Sequence, residues 1–533
     1  MAWADPYDAP ANYYNTATGT GAILKAQLNN IIDGHTVLSY DSARSSLQVT
    51  DADPNDPGNM LLVYNRASLD VAAINPGGSI PGWDSGVSWN REHTWPDSRG
   101  LGSSGPDYSD LHHLRPSDPG INSARGNKNF GGAYGAQAYG AVNDGGAMWY
   151  PGNADAGMIA RQEFYMATRY DGADSGTIDL ELQPGNPAAS AGLGNINRML
   201  EWHYQAVPDD FELRRNDVIH DNYQGNRNPF VDHPEFAWSI FKDQQNDSQL
   251  YVGGSAAADG SSSLNVNLGE VIVGAAVPAA QNVTLNRNGF DGSYYEVSTS
   301  GDATSSVDGR YNAFAINNTG TDSTSLAVGL NTTTAAAGLK SGSLAIDNLD
   351  ITTQGGAGVG ANDGSDTVNV ALAVLDHAEP SFNGATDQNM LAFNFGSVLQ
   401  GSASPIINFD IFNLESTALY TAALDFDNVL GSGDTSVLLT DLTTFGGLTA
   451  LQAGLSNGFL TMLDTSTPGI FSASYFLSFS DENLPGSASR DGMTLTLTGS
   501  VVAVPEPSTF VLVALGLSGL GVHRLRRKRS LQS

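Results

Sequence analysis

Between Trp89 and Gly131 the chain reads WNREHTWPDSRGLGSSGPDYSDLHHLRPSDPGINSARGNKNFG. This stretch gathers most of the side chains able to do chemistry. Glu92 and His93 stand side by side; Asp110, His112 and His113 follow, then Asn122, Arg125 and Asn127. Hydrolysis of a poor electrophile such as a phosphodiester needs a base for water, a cation on the phosphate and help for the departing oxygen. His93 can be that base, because an imidazole with an unperturbed pKa of about 6.5 is mostly neutral at working pH. Glu92 and Asn127 offer hard oxygens, which suit Mg²⁺ better than a soft metal. Arg125 can grip a phosphate through two parallel hydrogen bonds. If the backbone at 92–93 is extended, the two neighbours point to opposite faces, so one can hold an ion while the other faces water.

Each of these residues also has a plainer reading. A Glu-His pair is often no more than surface. His112 reads as a buried residue bonded to Asp110 or to backbone. The alternative, half of a zinc site, lacks a second His or Cys pair at ligand spacing. Asn122 could be a helix cap opening a helix through Asn127, and Asn127 a surface amide. Taken singly the signals are weak, and their order and spacing carry the weight.

The elements around this stretch come next. Ile23, Leu24, Leu28, Ile31 and Ile32 recur at helical spacing over 21–32. Leu61–Tyr64 reads as a short buried strand. Amphipathic helices are expected at 158–167, 195–204 and 210–219, with a polar turn-rich loop at 224–234. From residue 250 the pattern changes to short apolar alternations separated by Gly, Asn, Asp and Ser, the pattern of antiparallel sandwich strands. A weak repeat of about 120 residues sets Leu264–Val271 beside Leu391–Val398. Asp-Gly pairs in this region read as turn chemistry, with calcium binding as the alternative.

The domain expectation follows from these shifts. It is a multidomain chain: an α+β domain over 1–250, all-β sandwich-like domains over 251–378 and 379–503, and a C-terminal hydrophobic segment over 504–533. At 533 residues the chain is too long for one core. It has no cysteine, which excludes disulfide and thiolate chemistry. A net charge of −32 argues against a nucleic-acid partner. Residues 1–250 alone carry 31 acidic and 15 basic side chains. The answer at this level is a local basic cleft built by Arg91, Arg99, Arg115, Arg125 and Lys128, helped by a bound cation. The N-terminal residues lack the charged and apolar regions of a signal peptide, but Ala2-Trp3-Ala4 looks like the end of one, so a leader is expected upstream.

Asn90–Pro96, Asp110–Ser117 and Ile121–Asn127 together resemble the bacterial endonuclease I family, and the similarity extends over residues 10–240. That resemblance implies a secreted, nonspecific nuclease with a ββα-metal (His-Me finger) site. It makes His93 the general base and puts Glu92 and Asn127 on the divalent ion, Mg²⁺ or another hard cation such as Mn²⁺ or Ca²⁺. Asn122 is the second choice for that ligand. Arg125, Arg91, Arg115, Asn122 and the Asn226-Arg227-Asn228 loop would touch the substrate backbone. The substrate implied is DNA, with RNA as a second. The tail, Val504-Pro505-Glu506-Pro507-Ser508, an uncharged run over 509–522 and then Arg524, Arg526, Arg527, Lys528 and Arg529, resembles the PEP-CTERM sorting signal. That implies an exosortase partner, transient membrane insertion of 509–522 and a final place outside the cell or in its envelope. Two rival functions stand beside this one. One is a surface or matrix binding protein with an inactive nuclease domain; the other is a phosphodiesterase acting on small nucleotides.

Overall fold

The structure is a computed structural model. It describes residues 7–504 apart from 104, 242–247, 291, 316–318, 350–362 and 444–449. The N-terminal Ala2-Trp3-Ala4 and the tail beyond 504 therefore lie outside the described residues.

By internal contacts the chain forms two units. The first runs to Val266 and includes Ala280–Asn331 and Ser341–Val370; the second comprises Asn267–Ala279, Thr332–Lys340 and the chain from Ala371.

In the first unit, α1 (Gly21–Ile32) buries Gly21, Leu24, Leu28 and Ile32. Helix α2 (Tyr40–Thr50) starts at Ser39, whose hydroxyl accepts from Ser42 N. Strands β1 (Asn90–His93) and β2 (Leu114–Ser117) pair antiparallel, with Glu92 opposite Arg115 and His93 opposite Leu114. Helix α3 (Pro119–Arg125) follows at once, giving a ββα unit. The sequence reading opened this helix at Asn122. The stronger start is Asp118-Pro119, with the Asp118 carboxylate accepting from Gly120 and Ile121 N and proline at the first helical position. Helix α4 (Asn153–Arg169) was expected to be amphipathic. Every residue from Asp155 to Arg169 is instead buried, so α4 is the central helix against which the others pack. Helices α5 (Ile196–Gln205) and α6 (Asp210–Ile219) lie where the periodicity put them.

The all-β part begins with a strand at Gln249–Val252. One sheet there has the order Ala303–Ser305, Thr321–Leu330, Gln281–Asn288, Gln249–Val252. The weak repeat is visible in the backbone. Ser263–Ile272 and Met390–Leu399 are both ten-residue strands. Each carries a positive-φ glycine, Gly269 or Gly396, whose N–H is held by the Asn two residues before it. A substituted residue would be strained at either glycine.

The core of the nuclease-like part does not close at residue 250. Tyr294 and Leu349 belong to the same buried cluster as Phe164, Trp202 and Trp238. The Tyr294 hydroxyl donates to His203 O at 2.5 Å, and its ring meets His203 and Tyr204 at 5.1 and 4.9 Å. Tyr294→Ala should therefore destabilise the helical part as well as the sheet that carries it. We expect a loss of about 3–5 kcal/mol, read by urea unfolding followed through tryptophan emission. An unchanged midpoint would show that the β residues are dispensable to the helical core.

Candidate active site

The alternation of an extended strand decides where the two central residues point. Glu92 is buried, while His93 and Arg91 lie half-buried on the opposite face of β1. Glu92 Oε1 accepts from the Tyr64 hydroxyl at 2.7 Å and lies 3.3 Å from Arg125 Nη1. Burial pushes its carboxyl up to about 6, against the pull of Arg125 and Tyr64. Tyr64 itself has a positive φ of 76°, a costly conformation for a bulky residue. Its N–H is pinned by Asp155 Oδ2 at 2.8 Å.

The His93 ring sits in an aromatic cradle. It stacks on Tyr40 at 5.6 Å, tilts against Tyr108 at 4.6 Å and meets His113 at 5.4 Å. His93 Nε2 lies 3.0 Å from the Tyr108 carbonyl oxygen. A carbonyl only accepts, so Nε2 carries the proton and Nδ1 keeps a lone pair. Burial lowers the imidazole to about 4, more than the Tyr108 carbonyl and Asp97 raise it. At neutral pH the ring is uncharged and can take a proton.

The remaining candidates divide by burial. Asn122 Nδ2 donates to Asn90 Oδ1 at 2.8 Å and to Arg91 O at 3.2 Å, fastening α3 to β1. Asn127 is exposed just beyond α3, and its backbone oxygen accepts from Arg99 Nε at 2.9 Å. Arg125 is 1% exposed. It donates to His93 O, Gly126 O and Thr94 O and lies 4.6 Å over the Phe130 ring, so it holds the end of β1 in place. As placed, it positions the site and offers no open fork to a phosphate.

Arg115 and Arg227 run against the expectation of substrate contact. Arg115 is fully buried and ion-paired to Asp51 at 2.6 Å. Arg227 is fully buried and paired to Asp232 at 2.8 Å and Asp217 at 2.9 Å. The polar loop at 224–234, whose residues 226–228 were expected on the substrate backbone, is turned inward. Asn226 ties to Ile32 O and to the Tyr165 hydroxyl, and Asn228 caps the short helix Pro229–Asp232. Of the four candidate arginines, Arg91 alone keeps some exposure. Its guanidinium lies 3.4 Å over Tyr40 and donates to Tyr40 O.

His112 is structural, its Nε2 donating to Asn226 O at 3.2 Å, and His113 donates to Asp107 O at 2.8 Å. Asp110 is a buried hub accepting from Tyr165, Tyr170, Gln224 and His112 N. Burial alone would raise its carboxyl, but His35, His112 and these hydrogen bonds hold it well below the usual carboxylate range. Among the described residues no group of three or more His, Cys, Asp or Glu gathers as a metal site.

Sequence reasoning missed Tyr64, Tyr40, Tyr108 and Glu163. The first three act through an unusual φ, a stacked ring and a backbone carbonyl, none of which the residue type announces. Glu163 left one signal, a carboxylate inside the apolar run of α4. It is fully buried with no hydrogen bond of good geometry, and burial pushes it up to about 8.

The endonuclease I family model matches residues 20–235, and the PEP-CTERM protein-sorting motif matches 503–528. An extracellular ribonuclease of Bacillus subtilis is 44% identical over 243 residues, which is 45% of this chain and 81% of the relative. An extracellular ribonuclease of Bacillus amyloliquefaciens is 44% identical over 235 residues, 43% of this chain and 78% of that protein. Among solved structures, the adhesive subunit of the CFA/I fimbria of enterotoxigenic Escherichia coli is 11% identical over 48% of this chain and 87% of its own. Its TM-score is 0.17, too low to bear on the fold. The ββα unit around Glu92 and His93 lies inside the matched region, and the chain belongs to the endonuclease I family.

Proposed function

We propose that this protein is an exported, divalent-metal-dependent endonuclease that cleaves RNA and DNA with little sequence preference. The observation that carries the reading is the His93 ring, neutral and with its proton fixed on Nε2 by the Tyr108 carbonyl. Nδ1 is then the atom that removes a proton from the attacking water. Glu92 and Asn127 would hold the ion. Glu92 Oε2 accepts no hydrogen bond among the described residues, and the Asn127 side chain is exposed, so both have oxygens to give. A carboxylate plus an amide, with water completing the shell, suits Mg²⁺ or a similar hard cation. When bound, the ion would polarise the phosphate and stabilise the departing oxygen. Arg125 and Asn122 keep β1 and α3 in register so that Glu92, His93 and Asn127 keep their places. The names of the two Bacillus relatives favour RNA as a substrate equal to DNA. The tail supports recognition by an exosortase and transient insertion of residues 509–522 into a membrane.

The full chain should nick supercoiled plasmid and degrade single-stranded RNA with Mg²⁺ or Mn²⁺, and do neither in EDTA. Cleavage that ignores EDTA, or no cleavage in any ion, would overturn the reading. The arginines counted on for a basic cleft are mostly spent on internal partners: Arg99, Arg115 and Arg125 are buried. The salt dependence should accordingly be shallow. A log–log slope of kcat/KM against salt corresponding to about three phosphates or fewer is expected, and one implying eight would contradict it.

A further inference from the structure

The two ends of the second unit differ in charge: one is crowded with carboxylates, and the other exposes aliphatic side chains with few charges among the described residues. Strand β3 (Met390–Leu399) runs parallel to β5 (Met493–Val502), while β4 (Gly469–Asp481) runs antiparallel to β5. Leu399 is therefore beside Val502, and Ile470 is beside Ser500. The loops at this end are bonded together: Gln400 N donates to Val502 O, Gly401 N to Thr465 O and Leu463 N to Pro405 O. That places Ile406 at the same end. Here Leu399, Ile406, Ile470, Val502 and Val504 are exposed by 57, 57, 91, 49 and 55%.

Among the described residues two carboxylates lie at this end, and both are bonded to backbone. Asp434 accepts from Ser472 N and Asp464 from Ser466 N, each at 2.9 Å. The opposite end carries Glu379, Asp387, Asp425, Asp427, Glu482 and Asp491, with Met390, Leu419 and Leu455 exposed among them.

The chain leaves β5 from the apolar end. After 503–508 it enters the uncharged run 509–522 and then a cluster of five basic residues. Six residues span at most about 20 Å.

We propose that this apolar end is a docking surface for the lipid bilayer, resting in the interfacial layer while the tail is inserted. The inference rests on the reading that 509–522 enters a membrane. Five exposed aliphatic side chains without a lysine or arginine would be held by burial among acyl chains, not by charge. A tether of six residues keeps the end at high effective concentration near the lipid, so a contact too weak to act alone suffices. The acidic end faces away from an anionic headgroup layer.

The chain has no cysteine, so single substitutions can be labelled cleanly. Full-length Ile470→Cys and Leu399→Cys, carrying an environment-sensitive fluorophore, would be reconstituted into phosphatidylethanolamine–phosphatidylglycerol vesicles containing a spin-labelled lipid. Leu515→Cys reports tail insertion, and Ala385→Cys at the acidic end is the reference. Emission at 470 and 399 should shift to the blue and lose most of its intensity to the lipid quencher, while 385 keeps its own. Quenching at 515 with 470 and 399 still in water would overturn the docking surface and leave the anchor reading standing. A blue shift at 470 without lipid quenching would mean that protein covers this end, its own tail or a second copy, and would also overturn it. An unquenched 515 would remove the anchor reading and this inference with it.

Discussion

His93→Ala should lower kcat/KM on plasmid and on RNA by about two to four orders of magnitude, the usual yield of a positioned general base. The variant should stay folded, because the ring is half-buried and its one hydrogen bond goes to a carbonyl that water can satisfy. Divalent-ion binding, read by calorimetry, should survive, since Glu92 and Asn127 are untouched. If the variant instead keeps activity within about tenfold of the wild type, His93 is not the base. The pH profile gives an independent check. Catalysis needs His93 neutral and Glu92 ionised; burial lowers the first to about 4 and raises the second to about 6. The later deprotonation limits, so kcat/KM should rise as pH climbs through about 6 and His93 should add nothing above it. Protons and a divalent ion compete for the same carboxylate, so raising the ion concentration should move that limb to lower pH. A limb that stays fixed as the ion varies would show that Glu92 does not bind it.

What the sequence revealed depended on how a residue does its work. His93 and Glu92 stood out only through the order and spacing of Asn90–Pro96, Asp110–Ser117 and Ile121–Asn127, because a lone Glu-His pair is often no more than surface. The helices at 21–32, 196–205 and 210–219 were legible because one face of each is apolar and the other is not. Helix α4 misled because its polar residues between Met158 and Ala167, Arg161, Gln162 and Glu163, gave the stretch an amphipathic pattern although all of them are buried. The arginines misled for a related reason. Arg115 looks like a phosphate ligand in a local motif, but its partner Asp51 lies 64 positions away and only folding brings the two together. Arg227 is paired to Asp232 only five positions on, inside the same loop and short helix, so its internal partner was close at hand in the sequence. Tyr294 was invisible as a core residue of the helical part because it lies 91 positions from the carbonyl it bonds. The β repeat was the opposite case: its Asn-x-Gly turns are local, so a one-dimensional pattern sufficed.

Asp51→Asn should be the most destabilising polar change in the nuclease-like part, and it separates a structural role for Arg115 from a substrate-binding one. Asp51 is fully buried and serves two arginines. Oδ1 accepts from Arg115 Nε at 2.6 Å, and Arg215 Nε donates to Oδ1 and Oδ2 at 3.3 and 3.2 Å. Arg215 goes on to bind the Leu111 and Leu114 carbonyls at the start of β2. Removing the carboxylate leaves two guanidiniums inside the fold with Asp155, 3.9 Å from Arg115, as their nearest remaining counter-charge. Stranding a buried charge costs about 3–5 kcal/mol, a large part of the roughly 5–15 kcal/mol that holds a domain together. Thermal unfolding should fall well below that of the wild type. Protein that remains folded at low temperature should cleave RNA with an unchanged KM, because the Arg115 guanidinium is fully buried against Asp51. If Arg115 contacted phosphate, the result would be inverted, with a near-normal melting temperature and a raised KM. The hairpin is only four register pairs long, and one carboxylate delivered by the end of α2 fastens its second strand to the rest of the fold.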